Sequence, residues 1–165
     1  MENQGTGVSF AVTVARGENA WQVRSFRDEF TDPQVAVDAV RNLRSEGAAF
    51  AMLCVDDDYF VIVRPHPARD MFLLSDATMA VDDDFAADVL DLVEAEIPDL
   101  DPEELDEIDG WPDGDFEVLE DLGLSEEVLG VLADDQEAWP SEQLMRIAEE
   151  LGFGEELAEA TGLDR

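Results

Sequence analysis

The chain has 165 residues, of which 45% are hydrophobic, and a formal net charge of −34 at pH 7. This hydrophobic fraction excludes a wholly disordered chain and is sufficient for a folded core. The negative charge repels nucleic-acid phosphates and acidic membranes, so it disfavours direct binding to either and favours a basic partner.

Two strands joined by a short turn are predicted at the start of the chain. Apolar residues alternate with small or polar ones from Val8 to Ala15, as on a half-buried strand. Residues 17–19 are typical of a turn, and residues 21–26 predict a second strand. Such a short connection predicts antiparallel pairing.

A helix is predicted after this hairpin. Asp32 followed by Pro33 is typical of a helix start, because the carboxylate can accept a free amide hydrogen and proline loses nothing at the first position. Apolar residues recur at helical spacing from Ala36 to Leu43, and Gly47 marks the predicted end. One face of the helix is thus expected to cover a sheet.

Three more strands follow the helix. Residues 48–55 and 60–63 are almost continuously apolar, which predicts two strands buried on both faces and joined through the acids 56–58. Residues 71–74 predict a further strand. The order ββαβββ predicts an α+β fold with an antiparallel sheet of about five strands and a helix packed on it.

The negative charge is concentrated after this predicted sheet. Residues 1–69 hold 7 Arg and 10 acids, whereas residues 70–165 hold 2 Arg and 33 acids, so the two parts carry −3 and −31. An amphipathic helix is predicted around residues 85–93. Prolines and glycines then interrupt any long helix, which predicts an acidic linker over residues 96–115.

Short helices are predicted at the C-terminal end. Ser125 and Ser141 each precede apolar residues at helical spacing, so both are predicted N-caps, and Gly152 is a predicted stop. Residues 155–160 predict a last turn or two. We therefore expect a sheet module at 8–95, the linker at 96–115 and a helical subdomain at 116–165. A subdomain this small is expected to be only marginally stable alone and should dock on the sheet or on a partner.

The sequence offers little for catalysis or metal binding. A single cysteine, Cys54, lies in an apolar run and predicts a small buried residue, and the single histidine, His66, lies between two prolines and predicts a loop residue. Together they cannot form a zinc cage. Asp99, Asp101 and Glu103 match three positions of a calcium loop, but Glu104 stands where that loop needs glycine. No cofactor is predicted, and an acid-based enzyme using Mg²⁺ is a weak alternative.

The compartment is predicted to be the cytoplasm. Residues 1–7 lack a basic stretch followed by an apolar one, and no run approaches the ~20 apolar residues of a membrane span.

Several segments resemble a known family. They are residues 56–64, residues 71–77, the acidic middle and residues 147–153, within a likeness that extends from about Phe10 onward. These segments are similar to those of actinobacterial tRNA adenosine deaminase-associated proteins. The resemblance implies a role beside wobble adenosine-to-inosine editing and implies no catalytic residue. The chain is not itself a deaminase, because it lacks the His-x-Glu and Pro-Cys-x-x-Cys strings of the zinc site.

We therefore expect a non-enzymatic accessory or regulatory protein that binds a basic protein surface, with tRNA adenosine deaminase as the partner that the resemblance implies. The alternative is a stand-alone acidic interaction module, or nucleic-acid mimic, for another basic protein. The candidate partner-binding residues are nine linker acids: Asp99, Asp101, Glu103, Glu104, Asp106, Glu107, Asp109, Asp113 and Asp115.

The arginines of the N-terminal part leave one question open. Five of them could form a basic face: Arg16, Arg24, Arg27, Arg41 and Arg44. The acidic half could fold back and neutralise this face, or it could extend as an open arm.

Overall fold

Six strands form one antiparallel open sheet in a computed structural model that describes residues 8–135 and 137–163. Residues 1–7, where the sequence predicts no export signal, and three residues of the predicted helical subdomain, 136, 164 and 165, lie outside the described residues. The sheet order is β2-β1-β3-β4-β5-β6. The strands are β1 (Phe10–Arg16), β2 (Trp21–Ser25), β3 (Ala49–Val55), β4 (Tyr59–Arg64), β5 (Met71–Leu74) and β6 (Asp113–Gly114).

Helices cover both faces of this sheet. The α-helices are α1 (Gln34–Arg41), α2 (Asp84–Leu92), α3 (Pro102–Glu107), α4 (Glu126–Ala133), α5 (Pro140–Leu151) and α6 (Gly154–Thr161). Two 3-10 helices span Ala77–Val81 and Phe116–Leu122. The predicted α+β class and the order ββαβββ are confirmed, with β6 as a sixth strand that the sequence did not predict.

The alternation of side chains along the central strands explains why they are apolar throughout. On β3, Phe50, Met52 and Cys54 face a first core shared with α4, α5 and α6. Leu53 and its alternate neighbours face a second core shared with α1 and α2. The prediction of strands buried on both faces is thus confirmed for β3 and β4.

The C-terminal helices dock on the sheet, which is one of the two predicted outcomes. Phe153, fully buried between α5 and α6, lies 5.0 Å from the ring of Trp21 and 6.0 Å from that of Phe50, measured between ring centroids. The predicted boundaries at residues 95 and 115 stay predictions. Residues before position 95 and residues after position 115 nevertheless pack together in the first core.

Two predicted helix ends differ from the structure. α1 ends at Arg41 instead of continuing to Gly47, since the Leu43 and Arg44 N–H groups bond to carbonyls three residues back and Arg44 then takes a left-handed conformation with φ 50°. α5 begins at Pro140, with Trp139 as its N-cap, so Ser141 lies inside the helix. Ser125 is an N-cap as predicted, since its hydroxyl accepts a hydrogen bond from the Val128 N–H at 3.2 Å.

The predicted linker contains regular structure that its sequence pattern does not indicate. α3 lies in its middle, and β6 pairs with β5 at its end, with Leu73 opposite Gly114. Gly114 has φ 127°, and a Cβ there would lie 2.4 Å from the Phe72 carbonyl oxygen. Only glycine therefore fits this close approach. Among the described residues, no helix has the length and apolar content needed to cross a membrane.

Candidate interaction surface

Residues 96–113, called the acidic segment below, present most of their carboxylates to solvent. Seven of the nine predicted partner-binding acids are exposed, as is Glu96 beside them. The seven are Asp99, Asp101, Glu103, Glu104, Asp106, Glu107 and Asp109. The structure thus brings seven of the predicted residues together on one exposed stretch.

A capping box holds the middle of the acidic segment in a helix. The Asp101 carboxylate accepts a hydrogen bond from the Glu104 N–H at 2.9 Å, and the Glu104 carboxylate accepts one from the Asp101 N–H at 3.4 Å. Pro102 occupies the first turn. α3 buries none of its residues, so this cap and not a core face fixes the local spacing of its acids.

The end of the acidic segment is fastened to the sheet module. The Ala77 N–H donates a hydrogen bond to the Trp111 carbonyl at 2.7 Å, and the Trp111 side chain packs against the second core. Gly110 lies so close to Asp76 that a Cβ there would be 2.3 Å from the carboxylate. The acids are therefore carried on a tethered strap rather than on a free tail.

Two of the predicted partner-binding residues serve the fold instead of the exposed stretch. Asp115 is buried, and its carboxylate accepts hydrogen bonds from Arg69 at 2.5 and 3.0 Å and from the Phe72 N–H at 3.1 Å. Those bonds raise the pKa of Arg69. Asp113 is partly buried and accepts a hydrogen bond from the Gly114 N–H at 2.8 Å. Asp115 therefore ties the chain directly after β6 to β5, whereas the Asp113 bond is local to β6.

The ion pairs that the structure describes for the N-terminal arginines do not involve the acidic segment. Among the described residues, no arginine lies within ion-pair distance of an acid between 96 and 113. Arg64 pairs instead with Asp121, and Arg41 pairs with Asp70 at 2.7 Å. Arg16 lies over the Trp21 ring at 5.7 Å. Among the described residues, the five arginines of the N-terminal part thus form no ion pair with the acidic segment, while Asp70 of the acidic half pairs with Arg41.

The helices beyond the first carry acids where their dipoles favour acids, because α2, α3, α4, α5 and α6 each have at least one acid in the first turn. A helix C-terminus is partly negative and favours basic residues, yet within the described chain α2, α3, α4, α5 and α6 have no base in their last turn. Only α1 has one, Arg41. The first-turn acids therefore stabilise these helices locally, whereas the negative ends of their dipoles have no basic residue beside them in the last turn.

A polar cavity of about 210 Å³ opens between the β3–β4 turn and the start of α5. Burial raises the pKa of Asp58, and repulsion from Asp56, Asp57 and Asp83 raises it further. Trp139, 47% exposed, forms part of the wall. The cavity is lined by Asp57, Asp58, Ser75, Asp76, Asp135, Ala138, Trp139, Pro140 and Gln143. The sequence pattern did not single out this site, because its lining comes from three separate segments.

The single cysteine and histidine are placed as predicted. Cys54 is fully buried, and burial raises the pKa of its thiol well above the usual range, so it is a poor nucleophile. His66 is exposed in the loop after β4, where its Nδ1 accepts a hydrogen bond from the Ala68 N–H at 3.3 Å. In the described ranges no group of three or more His, Cys, Asp or Glu side chains is arranged to hold a metal ion.

Comparison with known proteins identifies relatives across nearly the whole chain. Residues 9–154 match the family described as Rv3753c-like tRNA adenosine deaminase-associated protein. The chain is also 47% identical over 150 residues to Protein Rv3753c of Mycobacterium tuberculosis, covering 90% of this chain and 85% of that protein. No solved structure matches.

Proposed function

Because the chain belongs to the Rv3753c-like tRNA adenosine deaminase-associated family, we propose that it is a non-enzymatic accessory protein that binds a basic surface of the deaminase in the cytoplasm. The acidic segment would make this contact. The observation that carries the proposal is the run of seven exposed acids from Asp99 to Asp109, which pairs with no arginine among the described residues.

The chemistry of tRNA supports a basic partner surface. An enzyme that acts on a folded RNA must present arginine and lysine side chains to phosphates. Carboxylates held at short intervals can occupy such side chains in place of phosphates, since both are oxyanions that accept charge-assisted hydrogen bonds. The tether at Trp111 supports this function because a held strap loses less conformational entropy on binding than a free tail.

A second candidate is an acidic interaction module for another basic protein. The same exposed acids support it, because they fix the charge of the partner and not its identity. The first candidate function predicts that the deaminase co-purifies with this protein, and the second predicts that another basic protein does.

Co-purification with the deaminase of the same organism tests the proposal. We expect a complex at ~50 mM salt that is lost at ~500 mM, because bulk salt screens exposed ion pairs. The test variant neutralises five segment acids and keeps the Asp101–Glu104 capping box. Its substitutions are Asp99→Asn, Glu103→Gln, Asp106→Asn, Glu107→Gln and Asp109→Asn.

A matched variant controls for net charge. It neutralises five exposed acids elsewhere, through Glu18→Gln, Glu46→Gln, Glu150→Gln, Glu155→Gln and Glu159→Gln. We expect the segment variant to weaken the complex at least ~10-fold and the control to weaken it less than ~3-fold. Absence of a low-salt complex would refute the deaminase as partner, and equal losses in both variants would refute the segment as the contact.

A further inference from the structure

The outer face of α4 leaves apolar side chains without cover. Leu129 and Ala133 point into the first core, whereas Val128 is 44% exposed and Val131 is 72% exposed. Val128 and Val131 are three residues apart, so they lie on neighbouring positions of one helix face. α4 therefore exposes two neighbouring apolar side chains in addition to those that build the core.

A half-exposed tryptophan lies where α4 gives way to α5. Trp139 precedes the first residue of α5, and its backbone N–H donates a hydrogen bond to the Glu142 carboxylate at 2.9 Å. Gln143 is 4% exposed, and its amide nitrogen donates to the Leu132 and Ala133 carbonyls, each at 3.0 Å. The two bonds from Gln143 fix the end of α4 against the start of α5. Tryptophan is one of the three residue types enriched among those that dominate the binding energy of protein interfaces.

Charge decides what can cover this surface. Glu126, Glu127 and Asp134 are exposed on or next to α4, and Asp58 and Asp76 line the cavity beside Trp139. A second copy of this chain would bring a net charge of −34 against −34, and a nucleic acid would be repelled in the same way. A protein segment with basic and apolar side chains complements both features.

We propose that the outer face of α4, together with Trp139, docks a basic amphipathic segment of a partner protein. Apolar side chains of that segment would cover Val128 and Val131, and its arginine or lysine side chains would meet the flanking carboxylates. An arginine beside Trp139 could also stack on the indole ring. The surface is distinct from the acidic segment, so this inference stands without the proposed function.

A synthetic peptide tests the docking surface on the full-length protein. The probe is a labelled helical peptide of leucine, arginine and alanine with leucines at i, i+3 and i+4 spacing. The reference peptide has serine at each leucine position and the same number of arginines. Binding of both is measured by fluorescence anisotropy. We expect the leucine peptide to bind ~10-fold more tightly, and we expect that ratio to persist at high salt, where ion pairs are screened.

Variants locate the contact. Val131→Gln with Trp139→Ser should bring the ratio close to one, whereas Val35→Gln, at an apolar residue 41% exposed on α1, should leave it unchanged. The double variant should fold, because glutamine is a good helix former and serine is a favoured N-cap. Circular dichroism checks that. A ratio near one in the wild-type protein, or a ratio that survives the double variant, would overturn the proposal. Neither result involves the deaminase, so the proposed function is tested separately.

Discussion

The carboxylate of Asp57 accepts one hydrogen bond from the backbone N–H of Ser141 at 2.8 Å and another from its hydroxyl at 3.1 Å. Asp57 is 2% exposed in the turn between β3 and β4, whereas Ser141 lies in the first turn of α5. The Asp57 carboxylate thus accepts a hydrogen bond from a backbone N–H that has no partner within the helix. Its negative charge also interacts favourably with the positive end of the α5 dipole. This contact joins the hairpin to the C-terminal helices.

Replacing Asp57 should therefore destabilise the fold. Asp57→Ala leaves the Ser141 amide and hydroxyl buried without the carboxylate, and we expect a loss of about 2–3 kcal/mol in the free energy of unfolding. Urea denaturation measures it. The control is Asp56→Ala, because Asp56 has nearly the same left-handed φ, 51° against 55°, and its carboxylate accepts a solvent-exposed hydrogen bond, from the Ser9 hydroxyl at 3.1 Å, in place of the buried ones. A similar loss in both variants would attribute the effect to backbone strain and not to the hydrogen bonds.

The contact between Arg69 and Asp115 should hold β6 on the sheet. Asp115→Ala removes the acceptor for Arg69 and for the Phe72 N–H, and we expect a loss of about 1–3 kcal/mol in stability. Hydrogen exchange of the Asp115 amide, which donates to the Phe72 carbonyl at 2.8 Å, should speed up. Asp113→Ala is the control at the same strand. Unchanged exchange in the Asp115 variant would show that backbone pairing alone secures the strand.

Mild acid should stabilise the free protein before strong acid unfolds it. Burial raises the pKa of Asp28 and Asp58 above their ordinary value of 3.8, so the folded state binds these protons more strongly and stability rises as the pH falls from neutrality towards those values. Arg64 lowers the pKa of Asp121, so its contribution is present above its ordinary value and is lost as the pH falls through its lowered one.

Thermal unfolding measured across this pH range checks both the rise in stability in mild acid and the loss of stability in stronger acid. Asp58→Asn should reduce the rise on the mildly acidic side, and Asp121→Asn should flatten the loss at low pH. Both groups are largely solvated, so each change should be small. A stability that falls steadily as the pH is lowered from neutrality would contradict the raised pKa values of Asp28 and Asp58.

Salt should act in opposite directions on the free protein and on its complexes. The net charge of −34 repels itself within one chain, and raising the salt from ~50 to ~500 mM shortens the screening length to a few ångströms. We expect the urea midpoint of the free protein to rise over this range. Potassium chloride and sodium chloride should act alike, since screening does not depend on the cation. A midpoint that falls would show that ion pairs such as Arg64–Asp121 outweigh the repulsion.

Local patterns predicted the strands and helices but not the contacts between distant acids and bases. β3 was predictable because a strand buried on both faces must be apolar at successive positions. The start of α5 was not, because the amide of Ser141 finds its acceptor 84 residues away in sequence. Asp115 resembles every other acid around it, and only the fold brings Arg69 to it. β6 has two residues and therefore no periodicity.

Substitutions in the last turns of helices α2 to α6 would separate the thermal stability of the protein from its affinity for basic partners. Lysine in place of an acid near the end of α2 or α6 would complement the helix dipole and add about 0.3–1 kcal/mol each. Several such changes combined would give a more heat-resistant protein. If affinity for basic partners fell in step, the acids would be residues that natural selection has retained at the expense of thermal tolerance.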